Sequence, residues 1–245
     1  MVTTTTQCLV IGGGITGLST ALYLARKGVK VTVIDRCDSL SSQLKASNVN
    51  CGIVCGAPHA GPGLGQELFG RSLEVAKKMG DDAKYVHSGS LEVLMTEAEC
   101  QWGKALVEVQ RGLGFGPDQI AYLTPAEARK VEPNLGNDVL GIVHFPDEGH
   151  VNPRRMTKAM GVMAKGAGAD IWMSHEVEAL NFQDGKYHVE VRSNLDQMSK
   201  ETIVAELLVF ATGAHSHHLL KPFGLTLPVI PVRGTMWSTG SLPQG

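Results

Sequence analysis

Long hydrophobic runs are missing from this sequence. No uninterrupted apolar stretch approaches the roughly 20 residues that span a bilayer. The opening Met1-Val-Thr-Thr-Thr-Thr-Gln7 has neither a basic segment nor an apolar core, so neither a secretory leader nor a membrane anchor is expected. Charge of one sign is also lacking. Twenty-two Lys and Arg against 24 Asp and Glu leave a net charge of −2, too balanced to recruit nucleic acid or an acidic membrane through a broad basic field. Cysteine is sparse and odd in number: Cys8, Cys37, Cys51, Cys55 and Cys100 are scattered, which excludes a disulfide framework and points to a reducing intracellular compartment, cytoplasm or organelle. Cys51 and Cys55 have no matching second pair, and His215, His217 and His218 have no nearby carboxylate, so no metal site is expected.

Glycine, in contrast, is plentiful, with 29 residues, and six positions near the N-terminus carry the strongest signal. The apolar run Leu9–Ile11 is bounded by Gly12-Gly13-Gly14-Ile15-Thr16-Gly17 and suits a strand buried on both faces. Apolar residues then recur at helical spacing from Leu18 to Leu24, and Gly28 ends the pattern as a C-cap would. A second β-branched run, Val29–Ile34, closes on Asp35. Strand, glycine turn, helix and parallel strand fit within about thirty residues, the length of such a unit. Gly12 allows the tight turn, Gly14 allows a pyrophosphate to approach the backbone, and Gly17 allows the helix to lie close to the strand. The helix N-terminus offers free N–H groups to phosphate, and Asp35 offers acceptors to ribose hydroxyls while repelling a 2′-phosphate. A nucleotide-free βαβ unit is the structural alternative.

Downstream, Arg36–Gln43 is polar and loop-like, and Ser47-Asn-Val-Asn50-Cys-Gly52-Ile53-Val54 offers small polar groups beside glycine. Composition leaves two readings of that stretch: a loop wrapping a ligand or a solvated turn. Gln66–Met79 has helical periodicity with Leu68, Phe69, Leu73 and Ala76 on one side. Ser90–Thr96 reads as a strand. Thr96 with Glu99 and Thr124 with Glu127 read as capping boxes that start helices, and Leu140–Phe145 as a strand. Asn152-Pro153 opens a helix with Met156, Ala159, Met160, Met163 and Ala164 inward, stopped by Gly166–Gly168. Asp170–Met173, Glu176–Phe182 and Tyr187–Val191 read as strands, the last two joined by a hairpin at Asp184-Gly185. Ile203–Phe210 is a buried strand ending in Ala211-Thr212-Gly213-Ala214-His215-Ser216, small residues at a carboxyl edge where α/β sheets bind ligands. His59 and His150 read as hydrogen-bonded loop histidines. Pro228–Trp237 reads as an extended segment entering a strand. The loop-like Ser238–Gly245 that follows suggests the front part of a longer protein.

In this order the motifs resemble the D-amino-acid-oxidase-like superfamily of FAD-dependent oxidoreductases. The Gly12–Gly17 turn with Asp35 is similar to that family's ADP-binding unit, and Ser47-Asn-Val-Asn50-Cys-Gly52 to its Ser-x-x-Asn-Ala-Gly loop, with Cys51 in the usual small position. Gly149-His-Val151-Asn-Pro153 resembles the junction where the chain re-enters the FAD domain. Ala211–Ser216 resembles the Ala-x-Gly-Ala-Trp-Ser turn, with His215 in place of Trp, and Pro231-Val-Arg233-Gly234 the step into the substrate-domain sheet.

The resemblance implies an α/β protein: a Rossmann-like FAD-binding domain of the glutathione-reductase type, residues 1–79 and 150–228, with an inserted α+β substrate domain, residues 80–149 and 229–245. It implies FAD contacts from Gly12, Gly13, Gly14, Ile15, Thr16, Gly17, Asp35, Arg36, Ser47, Asn50, Gly52, Ile53, the main chain of Val177, Ala211, Thr212 and Gly213. It further implies oxidation of an amino acid, secondary amine or 2-hydroxy acid, a small-molecule substrate, by hydride transfer to flavin. Its substrate-binding residues fall beyond Gly245, so no catalytic side chain is assigned, and Arg233 is read as a structural pairing residue. A nicotinamide-dependent dehydrogenase and a partial, non-catalytic FAD-binding polypeptide are the alternatives.

Overall fold

The computed structural model describes residues 2–196 and 200–235, without the side chains of His218 and Pro222. In chain order its strands and α-helices are β1 (Val2–Ile11), α1 (Ile15–Arg26), β2 (Val31–Asp35), β3 (Ile53–Val54), α2 (Leu64–Met79), β4 (Ser90–Leu94), α3 (Glu97–Gly112), β5 (Ala121–Leu123), α4 (Pro125–Val131), β6 (Gly141–Phe145), β7 (Gly149–His150), α5 (Pro153–Gly166), β8 (Asp170–Met173), β9 (His175–Gln183), β10 (Lys186–Ser193), β11 (Lys200–Phe210) and α6 (Ser216–Leu220). They form two units, residues 1–51 with 153–245, and residues 52–152.

The first unit is built on a six-stranded sheet in the order β8-β2-β1-β11-β10-β9. Strands β8, β2, β1 and β11 run parallel, as crossover connections require, and β11, β10 and β9 form an antiparallel meander. Asp184 and Gly185 both adopt positive φ (53° and 74°), the backbone a tight hairpin needs between β9 and β10. Leu9, Ile11, Ile34, Val189, Val191 and Ile203 make one buried cluster that spans the parallel and antiparallel parts. Helices α1 and α5 pack together. The buried face of α5 is Thr157, Met160, Gly161 and Ala164, whereas Met156, Ala159 and Met163 are only half-buried. The reason is close approach: a Cβ on Gly161 would collide with the Leu40 side chain, so small residues hold the centre of that contact.

The second unit holds two antiparallel sheets, β4-β6-β5 and β3-β7. Its core is Leu94, Cys100, Val107, Ile120, Val143 and Phe145. Both expected capping boxes are formed in full. Thr96 Oγ1 accepts from the Glu99 N–H while Glu99 accepts from the Thr96 N–H, and Thr124 and Glu127 do the same. The Met95 N–H, and then that of Thr96, hold the Glu99 carboxyl below the ordinary range, as the Thr124 hydroxyl and then its N–H hold that of Glu127. Residues 52–79 fall in this unit, not with the glycine-turn unit as expected from the sequence, because β3 pairs with β7 and Leu73 of α2 lies against Gly56. The buried positions of α2 are Leu73, Ala76 and Met79. The expected Leu68 and Phe69 are exposed at 53% and 40%. Residues 229–235 cluster with the first unit, as an exposed extended segment that includes Arg233. Residues 236–245 of the expected strand and loop lie outside the described residues.

Phe145 is fully buried in the second unit. Phe145→Ala should lower the unfolding free energy by about 3–5 kcal/mol. Val109→Ala, on the exposed side of α3, should stay within about 0.5 kcal/mol. Denaturant titration of the two variants checks the pair.

Candidate functional site: a nucleotide pocket at the carboxyl edge of the parallel strands

Strand β1 ends at Ile11, and the chain reverses at Gly12, whose φ of +110° is one that side chains resist. The Gly12 N–H donates to the Ile34 carbonyl (2.8 Å), which fastens the turn to β2. A Cβ on Gly12 would strike the Ala211 carbonyl, and one on Gly17 would fall on the Gly12 carbonyl oxygen. Helix α1 can therefore start against β1 and β11 only with glycine at both places. Gly14 is its N-cap residue and has no side chain with which to cap it. The Ile15 N–H is met from outside by Ser47 Oγ at 3.1 Å.

Behind the turn sits Asp35, buried to 8% exposure at the end of β2. Its Oδ2 accepts from the Gly13 N–H at 2.6 Å, and its Oδ1 from the Cys37 N–H at 2.8 Å. Lys45, also 8% exposed, donates from Nζ to the Gly13 carbonyl (3.0 Å) and lies 3.3 Å from Asp35 Oδ2. A carboxylate offers about four acceptor positions. The Cys37 side chain hydrogen-bonds to this carboxylate as well, so protein groups meet it on every side that the structure describes.

These groups border a cavity of about 420 Å³ in the first unit. Its walls bring together Gly12, Gly14, Asp35, Arg36, Ser47, Val177, Ala211, Thr212 and Gly213, from separated stretches of the expected set. Arg36 Nη2 donates to His215 Nε2 at 3.2 Å, a bridge between the ends of β2 and β11. The Asn194 amide donates to the Arg36 carbonyl (3.0 Å). Gly13, Ile15 and Gly17 shape the turn without bordering the cavity, and Thr16 is exposed on α1. Asn50 is exposed and its amide donates to the Ala46 carbonyl (3.0 Å). Gly52 and Ile53 belong to the second unit. Lys45, Asn48 and Asn194 lie outside the set expected from the sequence. Asn48 is buried, and its amide ties the Leu40 and Ser42 carbonyls (2.8 Å each), so it sets the course of the loop that delivers Lys45 and Ser47.

A family model described as FAD-dependent oxidoreductase (DAO) matches residues 7–245. The chain belongs to that family. Among curated relatives, glycine oxidase of Bacillus licheniformis is 30% identical over 246 residues, covering 95% of this chain and 61% of the relative. The bifunctional protein ThiO/ThiG of Nostoc sp. is 30% identical over 238 residues, covering 95% of this chain and 34% of the relative. Among solved structures, glycine oxidase of Bacillus cereus is 26% identical with a TM-score of 0.68, over 89% of this chain and 58% of that one. Glycine oxidase of Geobacillus kaustophilus shares the fold with a TM-score of 0.75 at 23% identity, over 91% of this chain and 60% of that one. The chain spans 59–61% of the length of the curated glycine oxidases it matches.

The family's cofactor is FAD, which sets the nicotinamide alternative aside. The pocket fits an adenosine diphosphate moiety. Side chains are absent where a diphosphate would approach the turn, and the helix N-cap Gly14 and the Asp35 carboxylate both border the cavity. No described helix is long and apolar enough to cross a membrane.

Three substitutions probe this architecture. Gly17→Ala should disrupt the turn, with loss of both bound flavin and thermal stability. Lys45→Met leaves the buried Asp35 carboxylate without its cation and should cost about 3–5 kcal/mol. Adding Asp35→Asn should recover part of that loss. A double-mutant cycle by denaturant unfolding measures the coupling.

Proposed function

We propose that the first unit holds the ADP portion of FAD, and that the chain is the FAD-binding part of an oxidoreductase acting on a small amino acid, secondary amine or 2-hydroxy acid. One observation carries this: four stretches remote in sequence, around Gly12–Gly14, Asp35–Arg36, Ser47 and Ala211–Gly213, border one cavity at the carboxyl edge of parallel strands.

Each group would have a distinct task. Gly12 and Gly14 keep the turn open to the diphosphate, and the free N–H groups at the start of α1 bond to it. Ser47 Oγ, which now meets the Ile15 N–H, can instead donate its own proton to a phosphate oxygen. Asp35, on the cavity wall, accepts from a ribose hydroxyl. Lys45 holds the Asp35 carboxylate and the Gly13 carbonyl in place while lending positive charge beside the phosphates. Val177 offers main-chain groups from the start of β9, and Thr212 and Gly213 close the pocket from the end of β11. Bound FAD supplies a two-electron acceptor for oxidation of a C–N or C–O bond beside a carboxylate. No side chain of this chain is assigned to the substrate.

The test is optical and kinetic. Purified protein should be yellow and carry flavin. Gly14→Val should be colourless, because a branched side chain would occupy the diphosphate's place and press on Ser47 Oγ, which a Cβ already approaches to 3.0 Å. Asp35→Ala should weaken FAD binding by about 1.5–3 kcal/mol, the scale of a charged hydrogen bond. Anaerobic bleaching by a panel of amino acids, N-methyl amino acids and 2-hydroxy acids identifies the substrate class. Wild-type protein that takes up no FAD would overturn the assignment.

A further inference from the structure

The second unit contains a cluster of donor groups that the nucleotide pocket does not use. Cys55, His59 and Glu148 each bring one ligand atom to within 4.8 Å of the other two, making the one such group of three found among the described residues. We propose that Cys55 Sγ, His59 Nδ1 and a carboxylate oxygen of Glu148 form a site for a divalent transition-metal ion of the zinc type, with a fourth position left to water or a small ligand.

Four observations support it. The first is distance. Zinc takes thiolate sulfur at about 2.3 Å and imidazole nitrogen or carboxylate oxygen at about 2.0–2.2 Å. Tetrahedral ligands then stand roughly 3.3–3.7 Å apart, a closure of about 1 Å from the widest separation here. His59 Nδ1 and a Glu148 oxygen are already 2.9 Å apart, with a proton between them where a metal would lie.

The second is local geometry. Cys55 and His59 flank Gly56 and a single 3₁₀ turn, Ala57–His59, so the spacing Cys-x₃-His brings both side chains to one side of that turn. The third is support behind each ligand. Glu148 is 1% exposed, and it accepts from the Gly56 N–H on Oε1 and from Ser90 Oγ on Oε2, both at 2.6 Å. The His59 ring stacks on Phe145 with centroids 4.1 Å apart. Metal ligands are oriented by outer contacts of this kind.

The fourth is charge. A thiolate, a carboxylate and a neutral imidazole sum to minus two, so a divalent cation leaves the cluster neutral and offsets the cost of the buried Glu148 charge. Mixed sulfur, nitrogen and oxygen donors suit zinc and its cobalt substitute better than magnesium or calcium. Glu148 also borders a cavity of about 220 Å³, which Cys55 and His59 do not line. Nothing in the site requires FAD.

The experiment uses the full chain, reduced, stripped with a chelator and titrated anaerobically with Co²⁺, then Zn²⁺. One equivalent of Co²⁺ should produce the intense near-ultraviolet thiolate-to-cobalt charge-transfer band, and Zn²⁺ should abolish it. Cys55→Ser should lose the band. His59→Gln should weaken Co²⁺ binding at least about tenfold. Zn²⁺ should raise the unfolding temperature of the wild-type chain and not that of Cys55→Ser. Absence of the band in wild-type protein at saturating Co²⁺ would overturn the site, leaving a half-buried thiol beside an ion pair. A band that survives Cys55→Ser, or binding unchanged in His59→Gln, would overturn it as well, because the metal would then sit elsewhere.

Discussion

The first unit depends on one steric constraint: the backbone of α1 touches the backbone of the turn that precedes it. A Cβ at Gly17 would coincide with the Gly12 carbonyl oxygen, and a Cβ at Gly12 would strike the Ala211 carbonyl. Three pieces of main chain, from β1, α1 and the end of β11, therefore meet with no side chain between them. That contact places the N-terminus of α1 beside the carboxyl ends of β1 and β11, where its N-cap Gly14 borders the cavity and the helix's partial positive charge lies. The Ala211 N–H donates to the Ile11 carbonyl (2.8 Å), which carries the β1–β11 pairing to the rim of the site.

Electrostatics then fixes what the steric contact has brought together. Burying Asp35 would be costly without partners, and its partners are the Gly13 and Cys37 N–H groups and the Lys45 ammonium. The same carboxylate thus joins the glycine turn, the continuation of β2 and the loop at 40–48. Asp35 is committed to the protein on both oxygens and has limited freedom to turn. Lys45 also changes the charge at the cavity wall. The acid alone would repel phosphate, but a buried lysine beside it and Arg36 on the cavity wall offset that repulsion.

Features set by near neighbours along the chain are legible in the amino-acid sequence alone. The glycine turn, the Thr96–Glu99 and Thr124–Glu127 boxes and the Asp184-Gly185 hairpin each need only a few consecutive residues, and each forms as its local chemistry demands. Much of the cavity wall is legible too, from small residues at strand ends. What escapes a sequence reading is set by distant packing. Nothing near Lys45 marks it as buried, since a lone lysine in a polar loop ordinarily points to water. On α5, periodicity favours the large Met156 and Met163, yet the face that approaches Leu40 has room only for Thr157 and Gly161. Likewise Phe69 fits a helical stripe on α2 while Leu73 and Met79 receive the burial. The membership of residues 52–79 turns on β3 pairing with β7, strands of two residues each and nearly a hundred residues apart.

The two units share a device and differ in what completes it. In each, a buried carboxylate takes a 2.6 Å hydrogen bond from the N–H of a glycine that follows a strand: Asp35 from Gly13, Glu148 from Gly56. Each also needs a positive partner. Asp35 has Lys45, an ammonium with three donors and no lone pair. Glu148 has His59, held toward its charged form mainly by the hydrogen bond to that carboxylate, against the opposing effect of burial. Burial pushes the Glu148 carboxyl up, but the bonds from His59, Ser90 and Gly56 outweigh it and hold the group below its ordinary range. The Cys55 thiol is pushed up, first by burial and then by the Glu148 charge. Lysine can close a carboxylate site only as a fixed cation, whereas imidazole and thiol each become a lone-pair donor on losing a proton. The same acid-on-glycine arrangement is therefore a permanent brace beside the nucleotide pocket, and a donor set open to exchange of protons for a cation in the second unit.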